Sequence, residues 1–211
     1  MALAARGGFI TLEGGEGAGK STQARHLAAA FSAAGLPVLA TREPGGTREA
    51  ERVRALLLDP ALAWTPLAET LLHNAARAEH AARVIRPALA AGTHVICDRF
   101  ADSTLAYQGY GLGGDHDAIA SIARLIGLTP DLTLILDLEP EASHARLAAR
   151  GIGADRYERL GAPFFARIRD GFRAIAAAEP GRCVLIPAGA EEGAVAAQIC
   201  EVVSRRLGLP L

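Results

Sequence analysis

Gly14-Gly15-Glu16-Gly17-Ala18-Gly19-Lys20-Ser21 decides the reading of this chain. A short apolar run, Phe9-Ile10-Thr11-Leu12, precedes it, and residues 23–34 follow with Ala24, Leu27, Ala28 and Phe31 at helical spacing. Strand, glycine-rich loop and helix in that order give Gly-x-x-x-x-Gly-Lys-Ser/Thr its physical meaning. Successive backbone N–H groups and a helix N-terminus point at one spot, which is an anion site. Lys20 is the single lysine of the chain, whose other 21 basic residues of 22 are arginines. A compact, rotatable ammonium fits between phosphates where a planar guanidinium fits poorly.

The same alternation continues outward. Apolar runs at residues 9–12, 38–41, 94–97, 132–136 and 183–186 read as strands, and the intervening stretches 20–34, 48–58, 66–91, 116–126, 140–150, 161–178 and 191–206 as helices. The runs are continuously apolar rather than alternating, as in strands covered on both faces, so a five-stranded parallel sheet with right-handed crossovers is expected. Gly35 and Pro37 punctuate the end of the first helix, and Thr65-Pro66 supplies a cap and an N1 proline for the third. Pro87 should kink or shorten that third helix. With 211 residues and neither repeat nor linker, residues 1–211 read as one α/β domain.

Composition narrows the function. Half the residues are hydrophobic and 21% charged, which is ordinary for a soluble globular protein. A net charge of −1 gives no reason to expect broad affinity for nucleic acid or membrane surfaces, which requires a concentrated basic field, and leaves room for local basic clusters. No apolar run approaches the ~20 residues of a membrane span, and residues 1–6 do not read as a signal peptide. Cys97, Cys183 and Cys200 are odd in number and suit neither a zinc site nor a disulfide framework, so buried reduced thiols and a cytoplasmic location are expected.

In a sheet of this kind ligands gather at the carboxyl ends of the strands. There the chain carries Thr41-Arg42-Glu43-Pro44-Gly45-Gly46-Thr47, then Asp98-Arg99-Phe100 running on through Ser103, Thr104, Tyr107, Gln108 and Gly109, then Asp137. His73 and Arg77 lie one turn apart on the third helix. Asp98 ends an apolar strand and either reaches a metal ion, directly or through water, or pairs with a neighbouring arginine. Asp137 has the same two readings. These segments, far more specific than the phosphate loop alone, resemble those of the bacterial thymidylate kinases over about residues 9–203.

That resemblance implies a P-loop NTPase fold with a short lid at about 150–157, ATP and Mg²⁺ as cofactors, dTMP as the small-molecule acceptor, and a homodimer. It places Gly15, Glu16, Gly17, Ala18, Gly19, Lys20, Ser21 and Thr22 around the donor phosphates, with Lys20 on the β- and γ-phosphates and Ser21 and Asp98 at the metal. Arg42 and Arg99 fall where the family holds the acceptor monophosphate. Arg150 and Arg156 fall where lid arginines close over the transferring group in relatives whose loop carries a carboxylate, here Glu16. Glu16 is expected to orient the sugar hydroxyl or an arginine rather than to act as a base. Thr104 and Gln108 match base contacts, and Tyr107 either lies beside the 2′ carbon or packs its own helix. Arg77 addresses the thymine carbonyl. His73 stands where the family usually has Phe, and is either a stacking partner of the base or a satisfied structural residue.

Other classes fit less well. A guanine-reading switch needs Asn-Lys-x-Asp, for which no lysine remains. A nucleoside kinase deprotonates a neutral hydroxyl and needs a general base, whereas Arg42 with Arg99 suits an acceptor that already bears phosphate. Cytidylate or uridylate kinases are expected to lack the Arg-Glu-Pro-Gly-Gly-Thr segment.

Overall fold

The computed structural model describes residues 6–150, 157 and 160–211, apart from the side chains of residues 144 and 147–150. The lid expected at about 150–157 lies mostly outside these residues, as do Arg156 and the side chain of Arg150. Among the described residues five strands, β1 (Phe9–Gly14), β2 (Val38–Arg42), β3 (His94–Asp98), β4 (Leu132–Asp137) and β5 (Cys183–Pro187), form one parallel sheet in the order β2-β3-β1-β4-β5. The five expected strands are all present, each extending one or two residues further. The extra residues, Glu13, Gly14, Arg42, Asp98, Asp137 and Pro187, are the polar and turn-forming ones that apolar runs do not mark.

β1 sits at the centre, so the chain leaves it toward β2 and β3 on one side and β4 and β5 on the other. That reversal opens the crevice that receives ligands. Strand alternation sends Ile10 and Leu12 to one face, where they meet Leu27 and Phe31 of helix α1 (Lys20–Ala33) and Ile199 and Val203 of helix α9 (Glu192–Leu207). Phe9, Thr11 and Glu13 face the other side. There Phe9 packs edge-on against Phe100 with ring centroids 5.0 Å apart, and Phe164, Ile168 and Phe172 of helix α8 (Gly161–Ala178) complete the layer. The central strand is buried throughout, whereas the edge strands β2 and β5 are partly exposed. The two-sided burial anticipated for all five strands therefore holds in the middle of the sheet only.

The expected helix 66–91 is interrupted. Helix α3 (Pro66–His80) passes into a π-helical turn, Ala81–Ile85, before α4 (Arg86–Ala90). Arg86 N–H donates to Ala81 O, five residues back. The widened turn sits where Pro87 would otherwise clash with the carbonyl four residues before it, so the helix absorbs the proline instead of stopping. Residues 101–111, outside the helices read from periodicity, are helical as well: α5 (Ala101–Thr104) runs into a second π-helical stretch, Leu105–Gly111. Helices α2 (Arg48–Leu58), α6 (His116–Ile126) and α7 (Pro140–Arg150) match the expected spans. Cys97 and Cys183 are buried free thiols and Cys200 is half-buried. None of the described helices is long and apolar enough to cross a membrane.

Candidate active site

β1 delivers the chain into the phosphate loop through Gly14, whose φ of 133° and approach to Leu136 O (2.5 Å from where a Cβ would stand) admit only glycine. The loop closes on α1 through Gly19, a left-handed N-cap (φ 91°) with no side-chain capping bond, so the first-turn N–H groups are left to an anion. Lys20 is 7% exposed and its Nζ donates to Gly15 O at 2.7 Å. Burial, reinforced by the nearby Arg99 and opposed by Glu16, Asp98 and Glu13, lowers its pKa to about 8. Ser21 Oγ donates to Asp98 Oδ2 across the crevice. Hydroxyl and carboxylate together form an all-oxygen donor pair that fits a hard divalent cation such as Mg²⁺. Asp137 is engaged elsewhere: Arg169 and Arg173 of α8 each donate to it at 2.7 Å, and against the upward push of burial they hold its pKa down. It ties α8 to the sheet.

Arg99 stands between the phosphate loop and a second cavity. Among the described residues it is the one non-glycine with positive φ (71°), a conformation worth roughly 1–3 kcal/mol of strain. β1 holds it on both sides: Arg99 N donates to Leu12 O at 2.9 Å, and Phe100 N to Glu13 Oε1 at 2.7 Å. Its guanidinium donates to Gly14 O (3.1 Å), Ser103 Oγ (3.0 Å), Glu16 Oε1 (2.5 Å) and the Tyr107 hydroxyl (2.9 Å). Burial works against its charge, but Glu16 above all keeps its pKa higher than usual. Glu13 is fully buried beneath it. Burial, together with the charge of Asp102, pushes that carboxyl up to about 8 despite the Ser103 hydrogen bond.

Arg42 ends β2 beside Asp98 and is 55% exposed, with Nη2 2.9 Å from Glu51 Oε1. A guanidinium that the motifs did not single out joins it. Arg54 of α2 donates to Pro44 O at 3.1 Å, and burial followed by repulsion from Arg42 lowers its pKa. Its position was legible: Arg54 follows the buried Ala50 by four residues and precedes the buried Leu57 by three, so it shares their face.

The second cavity, 130 Å³, runs from Arg54 and Arg99 to Arg77, Thr104, Tyr107 and Gln108, with Phe100 and Tyr157 among its walls. Arg77 is 3% exposed and held by four hydrogen bonds: Glu43 Oε2 (2.7 Å), Asn74 Oδ1 (3.0 Å), Phe100 O (3.0 Å) and Thr104 Oγ1 (3.0 Å). Glu43 also meets His80 Nδ1 at 3.0 Å, and His80 Nε2 lies 2.8 Å from Thr41 Oγ1, which anchors the arginine to β2. Gln108 Nε2 donates to Glu69 Oε1 at 2.8 Å, and Tyr157 OH donates to the same oxygen at 2.5 Å. His73 lines this cavity with Nε2 3.3 Å from Tyr157 OH. Tyr107 packs against Phe164 and Phe172 of α8, and its hydroxyl donates to Glu16 Oε1 at 2.9 Å. Glu69 and Tyr157 were missed by the sequence reading, and Glu43 was read only as part of its segment, without a role of its own. Glu69 had a signal, since Glu69, His73 and Arg77 recur every four residues on one helix face.

Residues 12–199 match the family model described as thymidylate kinase. The chain belongs to the thymidylate kinase family. It is 53% identical to a thymidylate kinase of Caulobacter vibrioides, over 97% of this chain and 99% of that protein. It is 50% identical to one of Gluconobacter oxydans, over 97% and 98%. The crystal structure of thymidylate kinase from Ehrlichia chaffeensis superimposes with a TM-score of 0.76 at 37% identity, covering 94% of this chain and 99% of that one. The parallel five-stranded sheet and phosphate loop accordingly constitute a P-loop NTPase fold.

Proposed function

We propose that this member of the thymidylate kinase family transfers the γ-phosphoryl group of ATP, with Mg²⁺, to the phosphate of dTMP, giving dTDP for dTTP and DNA synthesis. One observation carries the reading. The phosphate-loop cavity, lined by Lys20, Ser21 and Asp98, and the cavity ending at Gln108 share a wall made of Glu16, Glu43, Arg54 and Arg99. Two nucleotides bound in them meet phosphate to phosphate across that wall.

No general base is required, because a phosphate monoester with a second pKa near ~6 is largely dianionic at neutral pH. An acceptor phosphate oxygen forms the new P–O bond as the bond from the γ-phosphorus to the bridging oxygen of ADP breaks. The protein's task is to cancel repulsion and hold the line of attack. Lys20 and the loop N–H groups, with Ala18 and Thr22 beside them, bind the donor phosphates. Arg42 and Arg54 bind the acceptor phosphate in charge-assisted forks, and Arg99, whose Nη1 and Nη2 hydrogens are engaged, adds its charge and its Nε–H. Ser21 and Asp98 would hold Mg²⁺, which would supply further charge compensation when bound. We assign Arg150 and Arg156 to the transferring group, a role worth ~10³–10⁵ in rate for such arginines. Glu16 and Tyr107 orient Arg99 beside the sugar. At the far end Thr104, Arg77 and Gln108 read the base and His73 walls it.

We further read residues 1–211 as one domain, place the enzyme in the cytoplasm in keeping with its free cysteines, and expect a homodimer. Leu56, Leu67 and Leu71, exposed on α2 and α3, offer apolar surface for that association, which sedimentation tests. The deciding assay is phosphoryl transfer from ATP·Mg²⁺ to dTMP, dUMP, dCMP, UMP and thymidine. Preference for dTMP is expected, and turnover of thymidine without turnover of dTMP overturns the assignment.

A further inference from the structure

Gln108 lines the acceptor cavity, yet its carboxamide is not free to turn. Its nitrogen donates to Glu69 Oε1 at 2.8 Å and to the Tyr157 hydroxyl at 3.3 Å, whereas its Oε1 is buried with no hydrogen-bond partner among the described residues. An amide alone does not choose between its two edges, since rotation by half a turn exchanges oxygen and nitrogen. Glu69 makes the choice. Glu69 is fully buried on α3, outside the cavity lining, and its Oε1 already accepts the Tyr157 hydroxyl at 2.5 Å. A flipped Gln108 would set a second acceptor oxygen 2.8 Å from that one and bury its own NH₂ unpaired.

Arg77 adds a second constraint of the same sense. Four of its five N–H groups are spent on Glu43, Asn74, Phe100 O and Thr104, which leaves one Nη1 hydrogen for a ligand. Arg77 and Gln108 both line the cavity, and the one donor and one acceptor they have left uncommitted are this Nη1 hydrogen and Gln108 Oε1. Thymine and uracil present the complementary pair, a carbonyl O4 and an N3–H. Cytosine presents the reverse, an amino group and a bare N3.

We propose that Glu69 is a specificity-determining positioning residue: with Tyr157 it locks the Gln108 carboxamide oxygen toward the pyrimidine N3–H, and so excludes cytosine nucleotides from the acceptor site. This rests on the reading of Gln108 as a base contact given above. Discrimination arises from repulsion as much as attraction, because a cytosine N3 would face an oxygen that cannot turn away.

The test compares kcat/KM for dTMP with the competitive inhibition constant of dCMP in wild type, E69Q and Y157F. A glutamine at position 69 donates as readily as it accepts, so both orientations of Gln108 become satisfiable. E69Q should narrow the dTMP preference over dCMP by about tenfold or more, the worth of one hydrogen bond made or misplaced. The change should lie in KM and the inhibition constant, with kcat for dTMP within about threefold of wild type. A merely structural role would weaken both nucleotides alike, and an unchanged ratio in folded E69Q overturns the proposal. Where E69Q does not fold, Y157F carries the same test: loss of the hydroxyl that helps hold the amide should narrow the ratio, and an unchanged ratio overturns it. Q108L and N3-methyl-dTMP separate the two layers of the argument. If Q108L keeps the wild-type ratio and N3-methyl-dTMP binds like dTMP, the base-contact reading fails and takes the role of Glu69 with it. If Q108L narrows the ratio while E69Q does not, the base contact stands and the role of Glu69 fails.

Discussion

The two ends of the crevice are built on opposite principles. At the phosphate end, apart from Arg99 with its four hydrogen bonds, binding capacity is left unspent: the N-terminus of α1 has no side-chain cap, the Lys20 ammonium is buried against a loop carbonyl, and Arg54 sits beside Arg42 at a depressed pKa. Such a site is destabilised until an anion arrives, so the ligand itself completes the electrostatics. At the base end nearly every polar group is already committed. Arg77 has four partners, Glu43 bridges Arg77 and His80, and Glu69 holds Gln108 and Tyr157. On the proposed function, the first end supplies affinity and turnover for any phosphate chain, and the second supplies rigidity and choice. Charge can be lent to a ligand, whereas discrimination requires groups that do not move.

The widest separation of the two ends should come from Lys20. K20M should lower kcat by about 10³ or more, the scale for losing a preorganised charge at the reacting group, while leaving KM for dTMP close to wild type. Coupled-assay kinetics check this, and K20R should fail to restore activity because a planar fork does not fit a point-charge site. At the other end, R77M should destabilise the fold itself. It strands the buried Glu43 carboxylate, at an expected loss of about 3–5 kcal/mol in urea unfolding. A Lys20 variant should unfold much like wild type, so similar unfolding of both proteins would erase the contrast. R54M should sharpen the comparison from within: loss of a charge-assisted hydrogen bond raises KM for dTMP by about 10- to 100-fold, and the residual affinity should depend less on salt.

The smallest effect concerns pH. With Lys20 lowered to about 8 in the free enzyme, its ammonium is present below that pH and lost above it. Bound phosphates favour the charged form, so ATP binding near pH 8 should take up protons. Affinity should be level below pH 8 and fall above it by at most about tenfold per unit. Calorimetry in buffers of different ionisation enthalpy measures the uptake, and K20M should abolish it.

The two ends also differ in how plainly the sequence announces them. The phosphate end is local. Glycines, Lys20 and Ser21 are consecutive, and Arg42, Asp98 and Arg99 lie at strand ends that hydrophobic runs reveal. Glu43 and Glu69 look in sequence like any helical or loop carboxylate. Their importance comes from burial beside partners 34 and 39 residues away, Arg77 and Gln108. The interruption of α3 shows the same limit: Pro87 announced a disturbance, but a π-helical turn, rather than a kink or an end, is settled by what the helix packs against.

By itself the sequence determined the sheet, the phosphate loop and the placing of Arg42 and Arg99 at strand ends, because each follows from the spacing of neighbouring residues and from backbone geometry that any chain with that spacing adopts. The tertiary structure alone decided which carboxylates are buried, which edge of Gln108 is left to a ligand, and that Arg99 takes a left-handed conformation between two cavities. Those outcomes depend on hydrogen bonds closed between distant segments, where the energy of an unpaired group inside the fold, rather than local preference, selects the arrangement.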